Sequence, residues 1–455
     1  MMAPSRRLLA GSAVALAFLL GESPVDAKDP DLPTGPALAT ELERPREEPG
    51  RRPVCSFRQP VCVHAGPRVA PLAVLGVLDD LERASGTLAG AVGAPRPLPD
   101  GKRGGTPAFD VYLVPARALG NAAVLARTGR DAPAPASLDR ASSFGLLRDD
   151  LPPGCLRRNL VARTLASAVG WGIDAGDEPH AREANAAYLA ELAAPCGSAT
   201  AELIDDFQAH PERGLIAPGG DGPDAAAVAL PWFFDRALGQ GAPGSVPIAL
   251  AIIAGQRSPA GSTRWENEPD LFDALGGVAA ARTPPVTLGD LWIDFAVSRL
   301  FMGERDDGVH FPESSFAGTF GRVRFDWSVT YDSLPRRLSP ERPIDPSGSS
   351  FVWIDLARAP KGARLAFRME WEAPVPFRWA LVRVRPDGSE ASRVLVTPQQ
   401  KATSADKNLD DLDGLAGVAV VAVNVGDLRL DDPFDPDIAP YEPHSYVLTI
   451  AKGLP

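Results

Sequence analysis

The sequence contains no Cys-x-x-Cys pair, no His-x-x-x-His pair and no Gly-x-Ser-x-Gly turn. The first two absences argue against a cysteine- or histidine-based zinc site, and the third against a serine nucleophile held on a strand-to-helix elbow. Beyond residue 20 there is no run of about 18 apolar residues, so no later segment is expected to anchor the chain across a membrane. Positive charge is also in short supply: 46 Lys and Arg stand against 58 Asp and Glu, a formal net charge of -12. That balance argues against a nucleic-acid partner and for solubility, and it is silent on substrate.

What is present points to export. Arg6 and Arg7 precede the apolar run Leu8 to Leu20, and Val25-Asp26-Ala27 offers small residues where a signal peptidase reads. Residues 1–27 therefore read as a signal peptide. Its arginines fit an ordinary positive n-region, with a twin-arginine route left open. No cysteine follows the apolar run to carry a lipid, so the product is expected in the periplasm or outside the cell. Residues 28–53, rich in Pro, Glu and Arg and without apolar periodicity, read as a disordered, solvated linker. With 45% hydrophobic residues over 455, the rest can build two or three domains. The 43 glycines and 47 prolines stop short of compositional disorder.

All four cysteines, Cys55, Cys62, Cys155 and Cys196, lie in the first half, and an even number suits an oxidising compartment. Three pairings are possible. Pairing by neighbourhood joins Cys55 to Cys62 around a short loop and Cys155 to Cys196 around a helical pair.

Periodicity predicts an α+β fold in two parts. The first, residues 54–320, opens with a strand or hairpin over Val54 to His64 and a helix over Pro71 to Val92. Strands follow at Phe109 to Val114 and at Ser143 to Leu147. Further helices are read at Asp224 to Leu238, Leu271 to Ala281 and Thr287 to Met302, the last opening on a Thr287/Asp290 capping box. From Gly321 the pattern switches to period 2, beginning with Arg322 to Tyr331. Six more strands, at 351–356, 364–371, 378–385, 393–397, 418–424 and 445–450, make an all-β sandwich of residues 321–455. Trp353, Phe367, Trp371 and Trp379 are available to its core.

Within the first part, Asn159 to Leu192 reads as helix, loop, helix. Val161, Leu165, Ala168 and Val169 bury one face of the first helix; Ala184, Ala187, Tyr188 and Leu192 face inward from the second. The pair resembles the site of secreted zinc metallopeptidases of the gluzincin type, where one helix carries His-Glu-x-x-His and the next Glu-Gly-x-Ala-x-Trp. Arg163-Thr164-Leu165-Ala166-Ser167 stands at the first motif and Glu183-Ala184-Asn185-Ala186-Ala187-Tyr188 at the second. Zinc needs lone pairs and an activating carboxylate, whereas an arginine side chain stays protonated and has none to offer. On this resemblance zinc is lost, no catalytic residue survives, and Arg163, Thr164, Ser167 and Glu183 mark a degenerate site. It further implies a guanidinium of Arg163 paired to a buried Glu183, an edge strand above the helix that holds extended peptide, and Trp232, Phe233 and Phe234 packed behind. Ser333-Leu334-Pro335-Arg336-Arg337 resembles part of the carboxy-terminal β-domain of a group of bacterial secreted metallopeptidase-like proteins. An ordinary helical hairpin fits the same residues without any such ancestry.

Other clusters have plainer readings. Asp177, Glu178, His180 and Glu183 fit solvated charges at a helix start better than a metal site, and Ser167, His180 and Asp177 supply triad residue types without an elbow. Asp406 to Gly414 reads as an acidic loop joining strands because it lacks the glycine and closing glutamate of an EF-hand. A calcium site there or at Asp431 to Asp437 has no further support. Three functions follow: an inactive metallopeptidase-like protein that binds peptide or protein, an envelope or extracellular structural protein acting through its sandwich, or a hydrolase of unrecognised chemistry.

Overall fold

The computed structural model describes residues 42–46, 52–120, 124–131, 140–175, 179–214, 229–239, 243–255, 271–311, 321–372, 377–396, 398, 402–426 and 443–453. The first layer is a five-stranded sheet of β1 (Val54–Cys55), β2 (Val61–Ala65), β3 (Phe109–Val114), β4 (Ala126–Arg130) and β5 (Ser143–Arg148), in the order β1-β2-β3-β5-β4. Strands β2, β3 and β5 run parallel, and the edge strands β1 and β4 are antiparallel to their neighbours. Helices α1 (Pro71–Thr87) and α2 (Cys155–Ile173) cover one face. Pro71 opens α1 where a missing N–H is harmless, and Gly93, at φ 77°, closes the π-helical turn that ends it.

The pleat sorts the residues of β3. Val111 and Leu113 turn toward the helices and join a core with Leu81, Val161 and Leu165. Asp110, Tyr112 and Val114 turn to the other face, where Phe144, Leu146 and Leu119 form a small apolar cluster. Leu42 packs on that cluster, so residues 42–46 lie on the sheet rather than in a solvated linker. The reason is ionic as well as apolar: Arg44 of this arm pairs with Asp110 of β3, Asp131 just past β4, and Asp100.

Helices α3 (Pro179–Ala193), α4 (Gly197–Ala209), α5 (Ala229–Leu238), α6 (Ser245–Ala254), α7 (Leu271–Ala280) and α8 (Leu288–Leu300) follow. The expected capping box of Thr287 and Asp290 starts α8. Both neighbourhood disulfides are formed, Cys55 to Cys62 and Cys155 to Cys196. Among the described residues no helix is long and apolar enough to cross a membrane.

The β-rich region comprises β6 (Trp327–Thr330), β7 (Arg336–Leu338), β8 (Ser349–Asp355), β9 (Leu365–Trp371), β10 (Phe377–Val384), β11 (Glu390–Val396), β12 (Ser404–Leu409), β13 (Gly417–Asn424) and β14 (Tyr446–Lys452). They make two sheets, β11-β10-β13-β8-β6 and β12-β9-β14-β7. Phe367, Trp371 and Trp379 fill the space between them. Trp353 is on the opposite face and stacks on Phe325. That opposite face is buried too. Ala380, Val382, Val384, Ala419, Val421 and Val423 share one apolar core with Trp292 and Phe295 of α8, and Trp292 donates from Nε1 to the Ser347 carbonyl at 2.6 Å. A sheet covered on both sides explains the unbroken apolar run Val418 to Val423. The boundary expected near Gly321 thus falls within a continuous core.

Two strand expectations need correction. Only Trp327–Thr330 of the 322–331 segment is a strand, because Phe325 leaves the ladder to stack on Trp353. Asp406 to Leu409, read as part of an acidic loop, belong to β12 and pair with β9. The charges sit there because β12 is a sheet edge with its outer face in solvent.

Candidate functional site

The α2–α3 hairpin is fixed by burial on nearly all sides. Val161, Ala162, Leu165, Ala166, Ala168 and Val169 bury α2 against the sheet and α3, while Ala186, Leu189 and Ala190 return the packing from α3. The small alanines let the helices approach closely. Asn159 donates to Glu191 Oε2 at 3.1 Å and the Cys196 backbone N–H to the same carboxylate, which ties the far end of the hairpin. The Cys155 to Cys196 disulfide spans 41 residues across it.

One turn apart on α2, Arg163 and Ser167 face Glu183 of α3. Arg163 Nη2 donates to Glu183 Oε2 at 3.4 Å, and Ser167 Oγ donates to Oε1 at 2.7 Å. Ser167 is buried, whereas the Arg163 and Glu183 side chains each keep 25% of their exposure. The guanidinium therefore makes one long contact instead of a two-pronged one, and Glu183 is not an isolated buried charge. Thr164 is not in this group. It lies beneath the sheet, donates from Oγ1 to the Val161 carbonyl at 2.8 Å and accepts at its own carbonyl from Thr128 of β4 at 3.2 Å.

These residues do not fit zinc. Both oxygens of Glu183 accept hydrogen bonds from Arg163 and Ser167, the arginine adds a positive charge, and the base position faces the wrong layer. Nor do these four residues pair a nucleophile with a free base: Ser167 donates to a carboxylate that a guanidinium already holds. Tyr188 of the second motif donates to Asp235 Oδ2 at 2.7 Å and meets Trp232 edge-on at 5.7 Å, and Trp232, Phe233 and Phe234 of α5 are buried behind the hairpin. Asp177, Glu178 and the His180 side chain lie outside the described residues, as does Asp431 to Asp437.

Sequence reasoning missed a second ionic centre on the outer face of the sheet. Arg44 reaches Asp100, Asp110 and Asp131, and Asp110 also accepts from His64 Nε2 at 2.9 Å. The available signal was Asp110 itself, a charged residue inside the apolar strand Phe109–Val114.

No protein-family model matches the chain, and no curated protein matches it. Among solved structures, a pre-peptidase C-terminal domain of collagenase from Bacillus anthracis aligns at 9% identity over 28% of this chain and 98% of that one, with a TM-score of 0.18.

Proposed function

We propose that the chain is an exported, catalytically inactive relative of gluzincin-type metallopeptidases that captures extended peptide along β4. The observation that carries this reading is the closure of Arg163 and Ser167 on Glu183, at the three positions where that family places its metal ligands. A charge-neutral, hydrogen-bonded cluster keeps the hairpin geometry and removes the chemistry. Support for the binding role comes from the sheet: β4 is one of its two antiparallel edges and touches α2 at Thr164 through Thr128. An edge strand offers main-chain groups to an extended ligand, with side-chain selection on alternate positions.

The test is to incubate the purified full chain with a pool of unstructured peptides, then measure hydrogen exchange of β4 amides and intactness of the peptides. Slowed exchange at Ala126 to Arg130 with every peptide intact is expected. Cleavage of the pool, or binding that leaves those amides unprotected, would overturn the proposal.

A further inference from the structure

The outer face of the first sheet, opposite α2, carries a complete receptor for a guanidinium group. Arg44 donates from Nε and Nη2 to the two oxygens of Asp131 at 3.2 and 2.9 Å, a fork only arginine can make. Its Nη1 lies 2.6 Å from Asp110, 2.8 Å from Asp100 and 3.4 Å from the Tyr112 hydroxyl. The Phe144 ring lies 5.0 Å from the guanidinium carbon and that of Tyr112 5.9 Å, within cation–π range.

The receptor is built by the folded body and not by the arm that fills it. Asp110 comes from β3, Asp131 follows β4, and Asp100 precedes the 101–108 loop. Ser142 donates to Asp131 at 2.8 Å, His64 stacks on Tyr112 and bonds Asp110, and half-exposed Arg103 lies 3.3 Å from Asp131. The loop backbone closes on Asp110 at Gly104, where a Cβ would sit 1.7 Å from the carboxylate. The most telling group is Asp100. Its side chain is 1% exposed and both oxygens are buried; it forms an ion pair with Arg44 at 2.8 Å and lies against the Asp110 carboxylate, whose charge repels its own. Burial lifts its pKa above the ordinary value and Arg44 opposes that lift. Burial alone would lower the Arg44 pKa, but hydrogen bonds to Asp131 and Tyr112 hold it above its usual range.

Three aspartates buried this deeply demand a cation, yet the one they hold arrives on a strap at the surface, with Glu43 exposed and Leu42 and Pro45 half-buried. We propose that this pocket is a binding site for an arginine side chain of an extended peptide, and that Arg44 occupies it in cis as a displaceable pseudo-ligand. The site adjoins β4, which Asp131 follows and whose Gly129 packs against Leu42, but it binds a guanidinium rather than a peptide main chain, so its probes report separately from protection of the β4 amides. A lysine would meet the same charges without the fork on Asp131 or the ring stacking, so the pocket selects arginine.

The test uses full-length Arg44→Ala with N-acetyl-L-arginine methylamide and its lysine counterpart as probes in calorimetry. The variant should bind the arginine probe about tenfold or more tightly than the lysine probe, and Arg44→Ala with Asp131→Asn should lose that preference. Wild type, its pocket filled, should bind neither. If Arg44→Ala does not fold, a protease site replacing residues 47–51 in the otherwise unchanged chain allows the arm to be cut after folding. A labelled peptide of residues 41–46 should then exchange into the pocket, and the same peptide with lysine at position 44 should not. Failure of the labelled arm to exchange, equal affinity for the two probes, or binding of calcium or magnesium in preference to arginine would overturn the assignment.

Discussion

Replacing Arg163 by alanine should destabilise the protein only modestly. If Glu183 were a buried carboxylate with Arg163 its sole partner, removing the guanidinium would cost about 3 to 5 kcal/mol. The geometry lowers that figure. The contact is a single one at 3.4 Å, both side chains keep a quarter of their exposure, and Ser167 continues to donate to Glu183 after the arginine is gone. A partly solvated pair of this kind is worth about 1 kcal/mol. Glu183→Ala should cost more, about 2 to 3 kcal/mol, because it also strands the buried Ser167 hydroxyl. The double variant should fall short of the sum by about 0.5 to 1 kcal/mol, the coupling between the two side chains. Urea unfolding followed by circular dichroism at 222 nm measures all three. A loss above about 3 kcal/mol for Arg163→Ala would refute the solvated-pair argument, and zero coupling would refute the pairing itself.

Glu390 supplies a pH-dependent prediction. Burial alone would raise its pKa, but hydrogen bonds from His310 and Arg393 hold it at about 2. A depressed folded-state pKa contributes stability above the unfolded value, which fades as pH falls through the folded one. Wild type should therefore exceed Glu390→Gln in stability above pH about 4.5, with the margin vanishing toward pH about 2 in thermal unfolding scans. Replacing Cys155 and Cys196 together by serine releases a loop spanning 41 residues and should cost about 4 kcal/mol in the chain-entropy limit, read by the same denaturation. The fragment 321–455 should keep β-type circular dichroism but bind a hydrophobic dye and self-associate, because without α8 it bares Phe351, Val382 and Val421. A monomeric, dye-silent fragment would show that this face needs no helical cover.

Local patterning carried much of the fold and little of the second ionic centre. The capping box of α8 and the alternation of β9 declare themselves within a few residues. Helix α6 does not, because Ser245–Ala254 is apolar on every side and shows no helical stripe. Strand β4, Ala-Arg-Thr-Gly-Arg, is polar and short, and its glycine exists because Phe144 and Leu42 press where a Cβ would stand. Those neighbours are distant in sequence. The same distance hid Arg44, which meets Asp131 across 87 residues from a segment whose composition looks solvated. At the hairpin, spacing put Arg163 and Ser167 on one face of α2, since positions four apart share a helix face, and the resemblance to the gluzincin motifs set Glu183 opposite them. It gave no warning that Thr164 would be buried beneath the sheet, because that depends on how α2 is rotated against β5.

Zinc stoichiometry of full-length Arg163→His with Ser167→His tests the central claim most directly. If Arg163, Ser167 and Glu183 stand where a gluzincin holds its metal, those two changes restore two imidazoles and a carboxylate to one point, a sufficient set for tetrahedral zinc with water as the fourth ligand. The account predicts about one tightly held zinc per chain in the double variant, none in wild type, and loss of the metal on adding Glu183→Gln. A folded double variant that takes up no zinc, or a wild-type chain that binds it stoichiometrically, would contradict the assignment.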